Sequence, residues 1–391
     1  MSDPRQRMLR RSRIMAVASG AAIPLPTAWP SITLALCLLF WLAARQWRDA
    51  YEVLRENRVA QLALALYLLF ALGVLLGDTS LASGWDMLGK YRKLLYIPIL
   101  MCVLREAVWR QRALDAFLAA LLLTLAASWL QFLNILPAGP PGQEYTVFKS
   151  SVTQGILMAF GSYLLLWKGR YAPRRQWLWW LLALLAGANV LINPGRTGYL
   201  LLVLLTLVFL FQQWRWRGLA AGILLSAAAI ALAWQVSPVF HLRVQQLETH
   251  LPAYADCRDT SSSVSRLQFY QRGLSLIAAR PLGYGTGAFA QAYRENAADD
   301  ACPTTSNPHN QYLLIAIQVG LPGLLLWLAL LGMAWRLRLR LETPQRQLAT
   351  AFVLSMAFSS LLNSMLMDFT EGHWFAFFSA LLYAPSTRKA P

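Results

Sequence analysis

The chain of 391 residues is 57% hydrophobic and only 14% charged, with a mean hydropathy of +0.43. A soluble domain of this size carries roughly 25% charged residues, so the composition excludes a large soluble enzyme and points to membrane helices. The net charge of +17 does not imply nucleic acid, because most basic residues sit in short blocks between apolar runs, the pattern of cytoplasmic loops.

The apolar runs predict an all-α polytopic membrane protein of about twelve transmembrane helices, at 14–29, 31–44, 59–77, 88–104, 113–133, 152–167, 176–193, 197–213, 218–236, 310–334, 347–367 and 370–385. Arg5, Arg7, Arg10, Arg11 and Arg13 precede the first run in the manner of a signal peptide. A second span follows at once without an Ala-x-Ala site, which predicts an uncleaved first helix. With the N-terminus inside, most Lys and Arg residues fall in inside segments and both termini are cytoplasmic. Residues 1–236 then hold nine spans, 237–309 form a large outside loop, and 310–391 hold the last three. Cys257 and Cys302 lie in that loop and are either two free thiols or a pair. Pairing would close roughly 45 residues and contribute on the order of 4 kcal/mol. Cys37 and Cys102 lie in apolar spans as packing residues.

Outside charges run against the positive-inside pattern, and each calls for a reason. Arg196 sits in the turn Asn193-Pro194-Gly195-Arg196-Thr197-Gly198 between two outward helix ends. It is either a functional charge held at the interface or an arginine snorkelling to lipid phosphate. A second cluster is Ser263-Val264-Ser265-Arg266-Leu267-Gln268-Phe269-Tyr270-Gln271-Arg272, where Ser263 or Ser265 can cap a helix running to about Ala279. Leu267, Tyr270, Leu274 and Ile277 recur at helical spacing, predicting an amphipathic helix lying on the membrane. Arg266 falls in its first turn, where a bound anion would relieve the unfavourable helix dipole. Gly283-Tyr284-Gly285-Thr286-Gly287 follows, either a plain turn or a backbone that approaches a ligand closely.

Asn307-Pro308-His309-Asn310-Gln311-Tyr312 opens the next apolar run and places His309 in the first turn of a helix. There imidazolium is disfavoured, so His309 is a neutral general base or a hydrogen-bonded interfacial histidine. Two further outside sets, Lys90, Arg92 and Lys93, and Asp368, Glu371 and His373, either line a site or anchor helix ends to headgroups. The chain has no phosphate-loop pattern and no His-Glu-x-x-His. Asp299-Asp300 lacks histidines at ligand spacing. A donor that is already activated, needing neither ATP nor metal, suits this inventory.

In combination the Gly-Arg-Thr-Gly turn, Ser265-Arg266-Leu267 with Tyr270, Arg280-Pro281-Leu282-Gly283-Tyr284-Gly285-Thr286-Gly287, Pro308-His309-Asn310-Gln311-Tyr312-Leu313 and Val319-Gly320-Leu321-Pro322-Gly323 resemble the O-antigen ligase superfamily. That superfamily also includes O-antigen polymerases and protein O-oligosaccharyltransferases. The motifs run from about Asn193 to Gly323, and the hydropathy resemblance covers the whole chain. The resemblance implies a GT-C-like glycosyltransferase in a bacterial inner membrane, its site facing the periplasm. The implied donor is an undecaprenyl-diphosphate-linked O-antigen, and the acceptor is lipid A–core of lipopolysaccharide. It further implies His309 as the catalytic residue, Arg196 and Arg266 on the diphosphate, and no metal or other cofactor. Tyr270, Arg272, Gly285, Asn310, Gln311, Asp368 and His373, with Lys90, Arg92 and Lys93, are candidates for supporting roles.

Within the superfamily protein O-oligosaccharyltransferases tend to be longer, with an added C-terminal periplasmic region, and this sequence stops soon after its last predicted span, so a ligase is the expected member. Arg272 and Gly283 have an Arg-x10-Gly spacing like that of polymerase loops, which keeps that alternative open. A transporter of lipid-linked glycans would predict ionisable residues deep in the spans and an inverted repeat. Neither pattern is visible in the sequence.

Overall fold

The computed structural model describes residues 3–236, 245, 262–296 and 305–385. Among them all regular structure is helical. The helices are α1 Pro4–Ala22, α2 Ala28–Ala44, α3 Trp47–Glu56, α4 Arg58–Leu76, α5 Leu81–Tyr91, α6 Lys93–Val103, α7 Ala107–Phe132, α8 Ser151–Tyr171, α9 Gln176–Ile192 and α10 Arg196–Val236. They continue as α11 Ser262–Ala279, α12 Phe289–Glu295, α13 Gln311–Leu337, α14 Thr343–Leu362 and α15 Phe369–Tyr383. Cys257, Cys302 and Asp299-Asp300 lie outside the described residues, so the pairing question stands where the sequence leaves it. Cys37 and Cys102 are free and buried.

Starts are set by side chains that satisfy the orphan amides of a first turn. Asn57 accepts from the amides of Val59 and Ala60, Ser150 from Thr153, and Asn310 from Tyr312 and Leu313. Among the described residues four helices are long and apolar enough to cross a membrane: Arg58–Leu76, Ala107–Phe132, Arg196–Leu232 and Gln311–Arg340. The pair α2 and α3, bent by 110°, passes the same test only when its two helices are taken together, as a broken span or a re-entrant loop. The chain is therefore an all-helical protein with the build of a multi-pass membrane protein.

Four predicted spans are broken or joined differently. The run 88–104 is two helices broken at Arg92. The runs 197–213 and 218–236 are the two arms of α10, which breaks at Trp214 and Arg215, the latter at φ 54°. The predicted 310–334 helix breaks at Val319 and Gly320. That last break has a visible cause. The Gly283–Gly287 loop inserts beside it, and the amides of Tyr284 and Gly285 donate to the carbonyls of Ile317 and Gln318, each at 2.8 Å. Leu321 N–H in turn donates to Pro281 O at 2.8 Å.

The same loop is stitched to α4, because Thr286 donates through its amide to Gly73 O and through its hydroxyl to Phe70 O. Gly285 packs against protein backbone. Its φ is +106°, and an added Cβ would run into Gly77. Gly285→Ala is expected to destabilise the chain by at least about 1–3 kcal/mol, from the backbone conformation alone. Thermal unfolding in detergent checks this against Gly332→Ala, where the added methyl meets nothing and the melting temperature should stay level or rise.

At the centre lies α15, whose residues Thr370 to Tyr383 are all buried. A helix apolar on every side belongs in the middle of a bundle. Its Trp374, Phe375 and Phe378 meet Phe160, Phe352 and Trp327 at ring separations of 5.0–5.6 Å. The helix directions also define two ends. α8 starts at Ser151 and ends past Lys168 and Arg170. α14 starts beside it there, where Trp167 and Tyr163 donate to the carbonyls of Pro344 and Gln347, and finishes at Asn363 near the start of α15.

Candidate functional site

A polar cavity of about 550 Å³ opens at the end of the bundle where α8 and α15 begin and α14 finishes. Its wall carries Lys149, Arg266, His309, Asp368 and Glu371, with Asn307 and Asn363 between them. Residues far apart in sequence thus share one chamber: the approach to α8, the first half of α11, the approach to α13, and both sides of the α14–α15 turn.

His309 does not stand in the first turn of α13. Asn310 is the cap, so the helix begins at Gln311 and His309 precedes it in the left-handed region at φ 50°. Two contacts hold it there. Its amide donates to Asn307 Oδ1 at 2.9 Å, and its carbonyl accepts from Tyr270 Oη at 3.3 Å. Tyr270 also donates to Leu361 O at 2.6 Å, as Asn310 Nδ2 does at 3.1 Å, which ties the motif to the end of α14. Partial burial, and then the nearby Arg266 guanidinium, hold the imidazole below its ordinary pKa. The neutral state expected from the sequence therefore has a different origin from the helix end first invoked.

The turn Asn363–Asp368 is fastened from three sides. Asn307 Oδ1 accepts from the Ser364 hydroxyl at 2.6 Å as well as from His309, and Gln311 Oε1 accepts from Leu366 N–H at 2.7 Å. Lys93, 3% exposed, donates its ammonium to the carbonyls of Leu366, Met367 and Asp368 at 2.8–3.2 Å. A fixed ammonium under three carbonyls holds the turn that presents Asp368, so Lys93 acts from behind the cavity rather than in it. Burial and the neighbouring Glu371 push the Asp368 carboxyl up to about 7, against the pull of Lys93.

Arg196 opens α10 half-buried and is not on the cavity wall. It adjoins the wall through the next residue, since Asn363 Nδ2 donates to Thr197 Oγ1 at 2.9 Å. Its turn is seated closely on α8, with Gly195 against Ser151 and Gly198 against Gly155, where side chains would clash. Beneath it Gln154 donates to Ser128, to Asn189 and to the Tyr145 carbonyl, while its Oε1 accepts from Val147 N–H. This buried amide locks the 145–147 segment of the cavity approach to α7 and α9.

Other candidates stand apart. α11 starts at Ser262, so Ser263 and Ser265 lie inside it, and Arg266 is past the first turn. Its buried face is Phe269 and Leu276, packed toward α12 and α13, while Leu267 and Leu274 are exposed. Arg272 stacks on Tyr293 at 4.6 Å. Lys90 pairs with Asp86 on the surface, and Arg92 is exposed. His373 is buried below the cavity with Nδ1 2.6 Å from Phe369 O. Among the described residues no group of three or more His, Cys, Asp or Glu side chains is arranged to hold a metal ion.

Sequence reasoning did not single out Lys149 or Asn363, and it read Asn307 only as a helix start. Lys149 carried a usable signal, because it is an outside lysine in a chain whose basic residues gather inside. The asparagines carried none, since their roles depend on which turns meet.

Residues 181–328 match a family model described as O-Antigen ligase, and the match supports membership of the O-antigen ligase superfamily. The matched stretch contains Arg196, Arg266 and His309, and ends before Asp368 and Glu371. A search of curated proteins found no match.

Proposed function

We propose that this chain is a member of the O-antigen ligase superfamily and a membrane glycosyltransferase that moves O-antigen polysaccharide from undecaprenyl diphosphate to a sugar hydroxyl of lipid A–core. The observation that carries the reading is the meeting of a neutral imidazole, a guanidinium and two carboxyl groups in one polar chamber, at one end of an apolar helical bundle. A lipid-linked donor needs an apolar neighbourhood for its tail and a polar one for its head. The full arrangement in this reading is twelve spans in a GT-C-like fold, with residues 237–309 as the outside loop. The cavity faces the periplasm, since Lys168, Arg170 and the basic segment Arg336–Arg346 gather at the opposite end.

In the reaction the His309 imidazole removes the proton from the acceptor hydroxyl as its oxygen bonds to the anomeric carbon of the donor. The bond from that carbon to the diphosphate oxygen breaks, and its electron pair leaves with undecaprenyl diphosphate. A single displacement inverts the anomeric centre. Arg266 from the wall and Arg196 from the adjoining turn stabilise charge growing on the leaving phosphate through charge-assisted hydrogen bonds. Asp368 and Glu371 offer acceptors for sugar hydroxyls. The residues carry every step without a metal ion or ATP.

The test combines purified protein in detergent with lipid-linked O-antigen and lipid A–core, in the presence of EDTA and absence of ATP. A glycan ladder shifted onto lipid A–core is expected. Longer lipid-linked glycan without transfer would make the protein a polymerase. Absence of both products from folded protein would overturn the enzyme reading. Arg272, which with Gly283 gives the polymerase-like spacing, stacks on Tyr293 and is not among the residues lining the cavity.

A further inference from the structure

Lys149 directly precedes Ser150, the cap of α8, and is one of the residues that line the cavity. Its Nζ is shut off from solvent and has no hydrogen-bond partner among the described residues. An ammonium group removed from water and left with three unused donors is unfavourable unless something else completes it. Its location adds to the imbalance, since the amino end of α8 is the positive end of the helix dipole. Ser150 already serves the first turn, so the hydroxyl is committed and the lysine is not.

The groups that face Lys149 are Glu371 and His373 from α15, with Asp368, Arg266 and His309 around the same chamber. Glu371 favours the ammonium electrostatically, yet the two form no ion pair among the described contacts, and burial still lowers the amine to about 8. A cation short of partners that shares one chamber with a second cation, Arg266, is arranged for an oxyanion in that chamber. Arg196, the other arginine expected at the diphosphate, is not on this wall.

We propose that Lys149 is a donor-binding residue whose side chain turns its shielded Nζ into the cavity to contact the diphosphate of the lipid-linked glycan together with Arg266. The inference rests on the glycosyltransferase reading above and adds to it a residue outside the stretch matched by the family model. Phosphate groups on the acceptor would offer the same chemistry, so donor and acceptor must be measured separately.

The experiment uses the full chain in detergent, with undecaprenyl diphosphate as product inhibitor and separate KM values for donor and acceptor between pH 6 and 9.5. In the wild type the donor KM should rise as pH passes about 8 and the ammonium is lost. Lys149→Arg, which keeps the charge, should hold a low donor KM across that range. Lys149→Gln should raise donor KM and the inhibition constant at least tenfold at pH 7, with no further alkaline rise. His309 titrates below its ordinary value and Asp368 near 7, so the alkaline limb separates Lys149 from both. Wild-type donor KM and inhibition in Lys149→Gln, or a change confined to acceptor KM, would overturn the assignment. If Lys149→Gln does not fold, the loss or persistence of the alkaline rise in Lys149→Arg decides the question. A wild-type protein that neither transfers glycan nor binds undecaprenyl diphosphate would overturn the parent reading and this inference with it.

Discussion

Replacing His309 is expected to lower glycan transfer by about 10²–10⁴-fold while leaving inhibition by undecaprenyl diphosphate close to wild type. The split follows from role: a base acts on the acceptor proton, whereas the leaving lipid is held by cations. The choice of replacement matters, because position 309 has φ 50°. Asparagine tolerates that conformation better than alanine and keeps the amide bond to Asn307 possible, so His309→Asn isolates the imidazole. The pH profile carries a second expectation. The base must be neutral, so activity should rise with pH through the imidazole pKa and then level off. Burial and Arg266 both lower that pKa, so the acid limb should lie below the ordinary imidazole value. Removing the guanidinium with Arg266→Gln should move the limb of the residual activity upward, though only part of the way, because burial is the larger cause. Near-normal transfer by His309→Asn would remove the histidine from the chemistry.

The helical order was legible because apolar runs and basic blocks are first-order signals. The sequence places boundaries near those of α2, α4, α9 and both arms of α10. Breaks inside runs were not legible. Arg92 interrupts an apolar stretch without a glycine or proline at that point, and the cause of the Val319–Gly320 break is a loop more than thirty residues earlier in the chain. Glycine content alone did not say whether the Gly283–Gly287 loop faces a ligand or another backbone. Only the position of Gly77 decides that. The cap of α13 was misplaced for a local reason: Asn307 and Asn310 are equally good cap residues by type, and Asn310 takes the role while Asn307 turns to His309 and Ser364.

Part of the site was legible by charge logic. Arg266 and His309 stand out as polar groups beside apolar runs, and Asp368 as an acid between the last two; these three meet in the chamber. Lys93 shows the limit of that logic. It was singled out as an outside cation, but its donors are spent on three carbonyls of the α14–α15 turn. Composition and spacing cannot separate a lysine that props a turn from one that waits for a ligand. Lys93 and Lys149 differ in whether their donors already have partners, and that is a tertiary property.

Arg266→Ala is expected to cost on the order of 3 kcal/mol of transition-state stabilisation, a fall in turnover of about a hundredfold or more. The magnitude rests on where the guanidinium sits. It is partly buried, which lowers its pKa without threatening its charge. It also faces the cavity beside His309, so its field acts where the leaving group departs and where screening by water is weak. Removing it has two opposed consequences: the imidazole becomes a somewhat stronger base, and the leaving diphosphate loses a bidentate partner. The second dominates, since a modest gain in basicity is worth far less than a charge-assisted pair of hydrogen bonds. Arg266→Lys therefore separates charge from geometry. A lysine restores the field but not the planar fork, so it should recover only part of the loss, mainly in donor KM rather than in turnover. Turnover and KM measured across wild type, Arg266→Lys and Arg266→Ala test this order. Equal turnover in all three would mean that the leaving group is stabilised elsewhere, and the assignment of the diphosphate to this wall would have to be abandoned.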